Sequence, residues 1–122
     1  MAKTIMIVDD SATLRQVVSI ALKGAGYDVL EASDGKDALG RLNGQKVHLV
    51  ISDVNMPNMD GLTFVSEMKK LPAYKFTPVI MLTTEAGADK KAQGQAAGAK
   101  AWVVKPFQPA QMLAAVSKLV LP

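Results

Sequence analysis

Short apolar runs alternate along the chain with segments whose apolar positions recur at helical spacing. The runs cover residues 4–8, 28–32, 47–52, 78–83 and 101–104. Several are near-continuous Val, Ile and Leu rather than alternating, the pattern of parallel strands covered on both faces. Between the first two runs, Leu14, Val17, Val18, Ala21 and Leu22 fall on one helical face, with Ser11 as N-cap and Gly24 or Gly26 as the stop. Ala38, Leu39 and Leu42 mark a short second helix that closes near Gly44. Leu62, Phe64, Val65 and Met68 mark a third, opened by Asp60. The last helix begins at Pro109 and sets Met112, Leu113, Val116 and Val120 on one side. A fourth helical segment, residues 88–97, has alanines but no large aliphatic residue and holds Gly94 in its interior. An interior Gly costs about 1 kcal/mol relative to Ala, so a weakly packed, mobile helix is predicted there. Five strands alternating with five helices predict a three-layer α/β sandwich with a parallel sheet and right-handed crossovers.

Composition narrows the class of protein. The 122 residues fit one domain, and residues 1–122 are read as a single unit whose last helix ends near Val120 with no second domain. Hydrophobic residues at 49% and charged residues at 20% suit a soluble globular chain and not a disordered one. The lack of cysteine excludes a disulfide scaffold, a thiolate metal site and a cysteine nucleophile, and is compatible with the cytoplasm, the expected location. His48 is the single histidine, so a histidine-rich metal site is excluded as well. The formal charge is +3, and lysines occur as pairs (Lys69 with Lys70, Lys90 with Lys91) without a long run or interleaved aromatics. No nucleic-acid partner is expected from that pattern. No apolar stretch approaches a membrane span, and the first one is too short for a signal-peptide core, so no membrane partner is expected either.

The chemistry sits at the ends of the runs. In open α/β sheets, ligands bind beyond the carboxyl ends of the strands. There the chain places Asp9 and Asp10, then Asp53, then Thr83 and Thr84, then Lys105 and Pro106. Three carboxylates, a hydroxyl and an ammonium should meet at one edge. Carboxylates held together repel and are costly to desolvate, and a divalent cation resolves both problems. Oxygen-only ligands in small number suit Mg²⁺ better than a Ca²⁺ cage. The Asp34-Gly35-Lys36-Asp37 stretch lacks the spaced acidic ligands of a calcium loop. Each residue alone has an ordinary reading as a cap, a strand residue, a solvated lysine or a loop breaker. Their joint placement at four strand ends carries the weight.

Taken in order, Val8-Asp9-Asp10, the stretch from Asp53 through Asn55, Met56, Pro57, Asn58 and Asp60 to Gly61, then Thr83 and Lys105-Pro106 resemble the receiver domains of two-component response regulators. The resemblance spans the chain. It is closest to the single-domain, CheY-like chemotaxis regulators, to which Ala101-Trp102-Val103-Val104-Lys105-Pro106 is particularly similar. It implies a flavodoxin-like, doubly wound sheet with strand order 2-1-3-4-5. It also implies that Asp53 accepts a phosphoryl group, and that Asp10, Asp53 and the backbone carbonyl of Asn55 bind Mg²⁺, with Asp9 acting mainly through a water on the ion. Lys105 would contact the phosphoryl oxygens, Thr83 would hydrogen-bond them, and the Lys105–Pro106 bond would be cis. Thr83 and an aromatic on the fifth strand would form the switch. That aromatic is Trp102 here, where the family has Tyr or Phe, so a less complete inward rotation is expected because indole is larger and its N–H needs a partner. Asn55, Thr84 and Glu85 would tune the dephosphorylation rate, Thr84 by shielding the phosphoryl group. The output surface would comprise the fourth helix, fifth strand and fifth helix, with Lys90, Lys91, Lys100 and Lys118.

The resemblance further implies a CheA-like histidine kinase upstream, a FliM-like motor switch protein downstream, a phosphatase, and a monomer that catalyses only its own phosphorylation and dephosphorylation. Other readings are a phosphate sink, a docking module that works without the motor, or a metal-dependent phosphatase of the haloacid dehalogenase type. The last would need an Asp-x-Asp arrangement on the first strand, and the chain has Asp9-Asp10-Ser11. A dinucleotide fold would need a glycine fingerprint there.

Overall fold

The computed structural model describes residues 2–54, 56–83, 99–105 and 107–120. The elements are β1 (Thr4–Val8), α1 (Ala12–Gly24), β2 (Asp28–Ala32), α2 (Gly35–Leu42), β3 (Leu49–Asp53), α3 (Gly61–Lys69), a 3₁₀ turn (Pro72–Tyr74), β4 (Val79–Thr83), β5 (Ala101–Val104) and α4 (Pro109–Leu119). The five strands form one parallel sheet in the order β2-β1-β3-β4-β5. The three central strands are buried on both faces, and β2 and β5 carry exposed positions as edge strands do. The helix expected over residues 88–97, with Lys90, Lys91 and Gly94, lies outside the described residues, as do Asn55, Thr84, Glu85 and Pro106.

Two cores follow from the strand alternation. Met6, Val8, Val50, Val79 and Met81 face Ala38, Leu42, Phe64, Val65 and Met68 of α2 and α3. Ile5, Ile7, Ile51, Ile80 and Leu82 face Val18 and Leu22 of α1 and Met112 and Val116 of α4. Each of these side chains larger than alanine contributes about 1.5–3 kcal/mol by leaving water. Val17, expected on the buried face of α1, is 46% exposed at the margin of the stripe formed by Leu14, Val18 and Leu22.

Side-chain caps open three helices. Ser11 accepts from the Leu14 N–H at 3.2 Å, Asp34 from the Asp37 N–H at 2.8 Å, and Asp60 from the Thr63 N–H at 2.8 Å. The first and third were expected. Asp34, in the stretch that lacks the ligands of a calcium loop, is the cap of α2. β3 starts two residues later than the apolar run, because Val47 is buried from the preceding loop and the His48 N–H donates to the Thr4 carbonyl just before the ladder proper. Among the described residues, no helix is long and apolar enough to cross a membrane.

Candidate functional site

The parallel register brings the C-terminal ends of β1, β3, β4 and β5 to one edge, and with them Asp9, Asp53, Thr83 and Lys105. Carboxylate oxygens of Asp9, Asp10 and Asp53 lie within 4.8 Å of one another. Asp9 is fully buried and Asp53 is 6% exposed, whereas Asp10 faces solvent. The Lys105 ammonium is 2.9 Å from Asp9 and 3.3 Å from Asp53, between the two buried carboxylates. The Lys105 N–H donates to the Thr83 carbonyl at 2.7 Å, which ties the end of β5 to that of β4. Thr83 is itself buried.

Each of the two buried carboxylates accepts from a main-chain N–H. Asp9 accepts from the Ser11 N–H at 2.8 Å through one oxygen and from Lys105 through the other. Asp53 accepts from the Val54 N–H at 2.9 Å. Burial raises the pKa of Asp53, and the charge of Asp9 adds to it, against the pull of Lys105 and the Val54 N–H. Burial works against the Lys105 ammonium, but the hydrogen bond and charge of Asp9 and the charge of Asp53 outweigh it and raise its pKa. The site thus holds more negative charge than one lysine neutralises. A small hard cation bound by the same oxygens, with the open side at Asp10 left to water and substrate, fits this donor set.

Three features escape sequence reasoning. The Arg15 guanidinium donates to the Asp9 carbonyl and pairs with Glu31 at 3.4 Å, so the first turn of α1 is fastened to the acidic loop. The Asn58 amide donates to the buried Asp34 at 2.8 Å, and the Gly35 N–H donates to the Met59 carbonyl at 3.1 Å. Together they lash the loop after Asp53 to the start of α2. Asn58 has φ 65°, a left-handed conformation that Asn tolerates well, and this is the one signal a sequence could have offered. Finally, Gly61 passes so close to β3 that a Cβ on it would stand 1.9 Å from the Asp53 carbonyl oxygen. Asn58→Ala should lower stability by about 1–2 kcal/mol, since it leaves a buried carboxylate oxygen without its donor. Urea unfolding checks this, and an unchanged midpoint would mean that water replaces the amide at no cost.

Trp102 is half-buried and leans on the core beneath α2 and α3. It pairs with Met81, and Thr83 pairs with Val104, so Thr83 and Trp102 lie two positions apart on the same face of the sheet. Beside Trp102, between β5 and α4, runs a groove of about 420 Å³ whose lining includes Lys100, Gln111, Ala115 and Lys118.

Comparison with known proteins agrees with this geometry. Residues 5–117 match the response regulator receiver domain. Protein PilG of Pseudomonas aeruginosa is 37% identical over 92% of this chain and 83% of its own length. Chemotaxis protein CheY1 of Helicobacter pylori is 38% identical over 86% of both chains. The solved structure of Vibrio cholerae chemotaxis protein CheY4 superposes with a TM-score of 0.94 at 44% identity, covering 98% of this chain and 99% of that one. With sequence, topology and the arrangement of the acidic edge in agreement, the chain belongs to the response regulator receiver domain family.

Proposed function

We propose that this chain is a cytoplasmic response regulator that takes a phosphoryl group from a CheA-like histidine kinase onto Asp53, with Mg²⁺, and signals by binding proteins according to its phosphorylation state. The observation that carries the reading is the buried Asp9–Asp53 pair bridged by Lys105 beside the open carboxylate of Asp10. Its relatives named for chemotaxis point to that process, with a FliM-like motor switch protein as the downstream partner.

The geometry supports the following step. An Asp53 oxygen attacks the phosphorus of the donor, the phosphorus–nitrogen bond of the phosphohistidine breaks, and its electron pair returns to the imidazole. In-line positioning and charge neutralisation carry most of such a transfer. Bound Mg²⁺ supplies positive charge to the phosphoryl oxygens. Asp10 and Asp53, with the carbonyl of Asn55, would hold it, and Asp9 would act through a water on the ion. Lys105, already between Asp9 and Asp53, swings its ammonium to the transferred group. Thr83 donates its hydroxyl to the same group, and Trp102 on the same face responds. Water later attacks the acyl phosphate and releases inorganic phosphate, so the chain catalyses only its own modification and its reversal. Thr84, Glu85 and Asn55 set the pace, and a phosphatase can shorten it. The groove beside Trp102, with Lys100 and Lys118, is the output surface.

Incubation with acetyl phosphate and Mg²⁺, followed by mass spectrometry, tests this. One phosphoryl group on Asp53 and a change in Trp102 emission are expected. No modification in abundant Mg²⁺ would remove the proposal.

A further inference from the structure

A second concavity lies at the opposite pole of the sheet, where the strands begin. Its walls are the loop before β3, residues 44–48, and the segment before β4, residues 72–78, and its volume is about 460 Å³. That is within the range of a preformed binding cleft. Tyr74 holds the walls together: its buried hydroxyl is within hydrogen-bond distance of the Leu42 and Gln45 carbonyls, at 2.8 and 2.7 Å. The Lys69 ammonium donates to the Thr77 carbonyl and fixes the second wall to α3. The cleft is therefore built into the fold.

Its lining carries a lysine and a histidine and no carboxylate. His48 Nδ1 accepts from the Thr4 N–H at 3.0 Å, so the neutral ring carries its proton on Nε2. Lys46 lies on the same wall, and no lining residue is acidic. Burial lowers the pKa of His48, and the charges of Lys3 and Lys46 lower it further, which reports a positive local potential. At the rim, Phe76 is 86% exposed with the Lys75 ammonium 5.6 Å from its ring centre.

Some of the positive charge at this pole has a plain structural origin. Lys23, Lys69 and Lys118 stand in the last turns of α1, α3 and α4, where cations complement helix ends. Lys3, Lys46 and Lys100 lie outside helices and have no such role, and Lys75 follows only the 3₁₀ turn. Of the carboxylates at this end, Glu67 is engaged by Lys70 at 3.1 Å, and Asp28 sits on the far side, next to Lys3.

We propose that this cleft docks an acidic linear segment of a protein partner: an apolar side chain enters between Val47 and Pro78, and flanking carboxylates meet Lys46, Lys75 and the Nε2–H of His48. A concavity of about 460 Å³ suits the side chains of an extended peptide better than a nucleic-acid duplex or a lipid surface, both of which need a broad face. The proposal is independent of the phosphorylation chemistry, because none of these residues touches the acidic edge. It gives the molecule two poles, one for a phosphoryl group and one for tethering to whatever delivers or reads it.

The test is a titration of the full isotope-labelled chain with the synthetic peptide Asp-Glu-Leu-Phe-Glu-Asp, followed by amide chemical shifts. Saturable shifts confined to residues 44–48 and 72–78 are expected, with binding that weakens as salt rises. Lys46→Glu combined with Lys75→Glu should weaken binding about tenfold or more, while the protein still folds and is still labelled by acetyl phosphate. A peptide with Lys in place of the acids should not bind. Shifts that fall beside Trp102 instead, binding unaffected by the double substitution, or no binding at all would overturn the proposal. So would stronger engagement of the same residues by a DNA oligonucleotide or by phosphatidylglycerol vesicles.

Discussion

Asp53→Asn should abolish phosphoryl uptake and, in magnesium-free buffer, make the protein more stable by about 1 kcal/mol. The amide cannot form the acyl phosphate, so the first effect is complete. The second comes from charge. Burial and the nearby Asp9 raise the pKa of Asp53 above its ordinary value of 3.8. The folded state therefore holds this proton more tightly than the unfolded chain does. Stability associated with Asp53 is greatest below pH 3.8 and is lost as pH rises through the folded-state pKa, so the ionised side chain is a cost at neutral pH. Asn keeps the shape and the bond from the Val54 N–H, and Lys105 retains its contact of 2.9 Å with Asp9. Added Mg²⁺ should stabilise the parent protein more than the variant, because only the parent has all three carboxylates to share. Urea titrations with and without Mg²⁺ read both effects. If the variant is less stable without the ion, the attraction between Asp53 and Lys105 outweighs the cost of burial, and the site is better neutralised than its geometry implies.

The strands and the acidic edge were legible because their signals are local. An apolar run of five residues that ends in Asp or Thr states both an element and its chemistry, and parallel connectivity brings the ends together without further information. Hence β1, β2 and β5 match the runs residue for residue. What stayed hidden depends on pairs far apart in sequence. Asn58 and Asp34 are 24 residues apart, and Tyr74 and Leu42 are 32 apart. Hydrophobic spacing cannot show which polar groups meet across a loop. The basic cleft was hidden for the same reason: lysines scattered from Lys3 to Lys100 look unclustered until the sheet gathers its strand starts. Nothing in the sequence around Phe76 shows that the fold leaves this aromatic in solvent. Caps were partly readable. Asp60 and Ser11 precede clear helical stripes, whereas Asp34 precedes a short helix with Gly40 inside it, and its role emerges only with the structure.

Gly61→Ala should produce the largest loss of stability of any single methyl group added near the site, more than about 3 kcal/mol. Gly61 begins α3 directly after its cap Asp60, and its N–H donates to the Val54 carbonyl at 2.8 Å. The chain turns back on itself there, so the first turn of α3 lies against the end of β3. A Cβ would stand 1.9 Å from the carbonyl oxygen of Asp53, 2.9 Å from its carbonyl carbon and 3.0 Å from the Ser52 hydroxyl. The obstacles are backbone atoms of a central strand, which cannot rotate away as a side-chain tip would. Relief requires β3 or α3 to move by more than an ångström, breaking the ladder to β4 or the bond to Val54. Both routes displace the Asp53 carboxylate from Lys105 and Asp9, so labelling by acetyl phosphate should fall even in molecules that remain folded. Thermal unfolding reads the first effect and labelling per folded molecule reads the second. Gly40→Ala serves as the comparison, because a Cβ there meets no atom within 4 Å, and the change should be neutral or mildly stabilising through the helix. Equal behaviour of the two variants would show that α3 can withdraw from the strand freely, and that the close approach at Gly61 is not what positions Asp53.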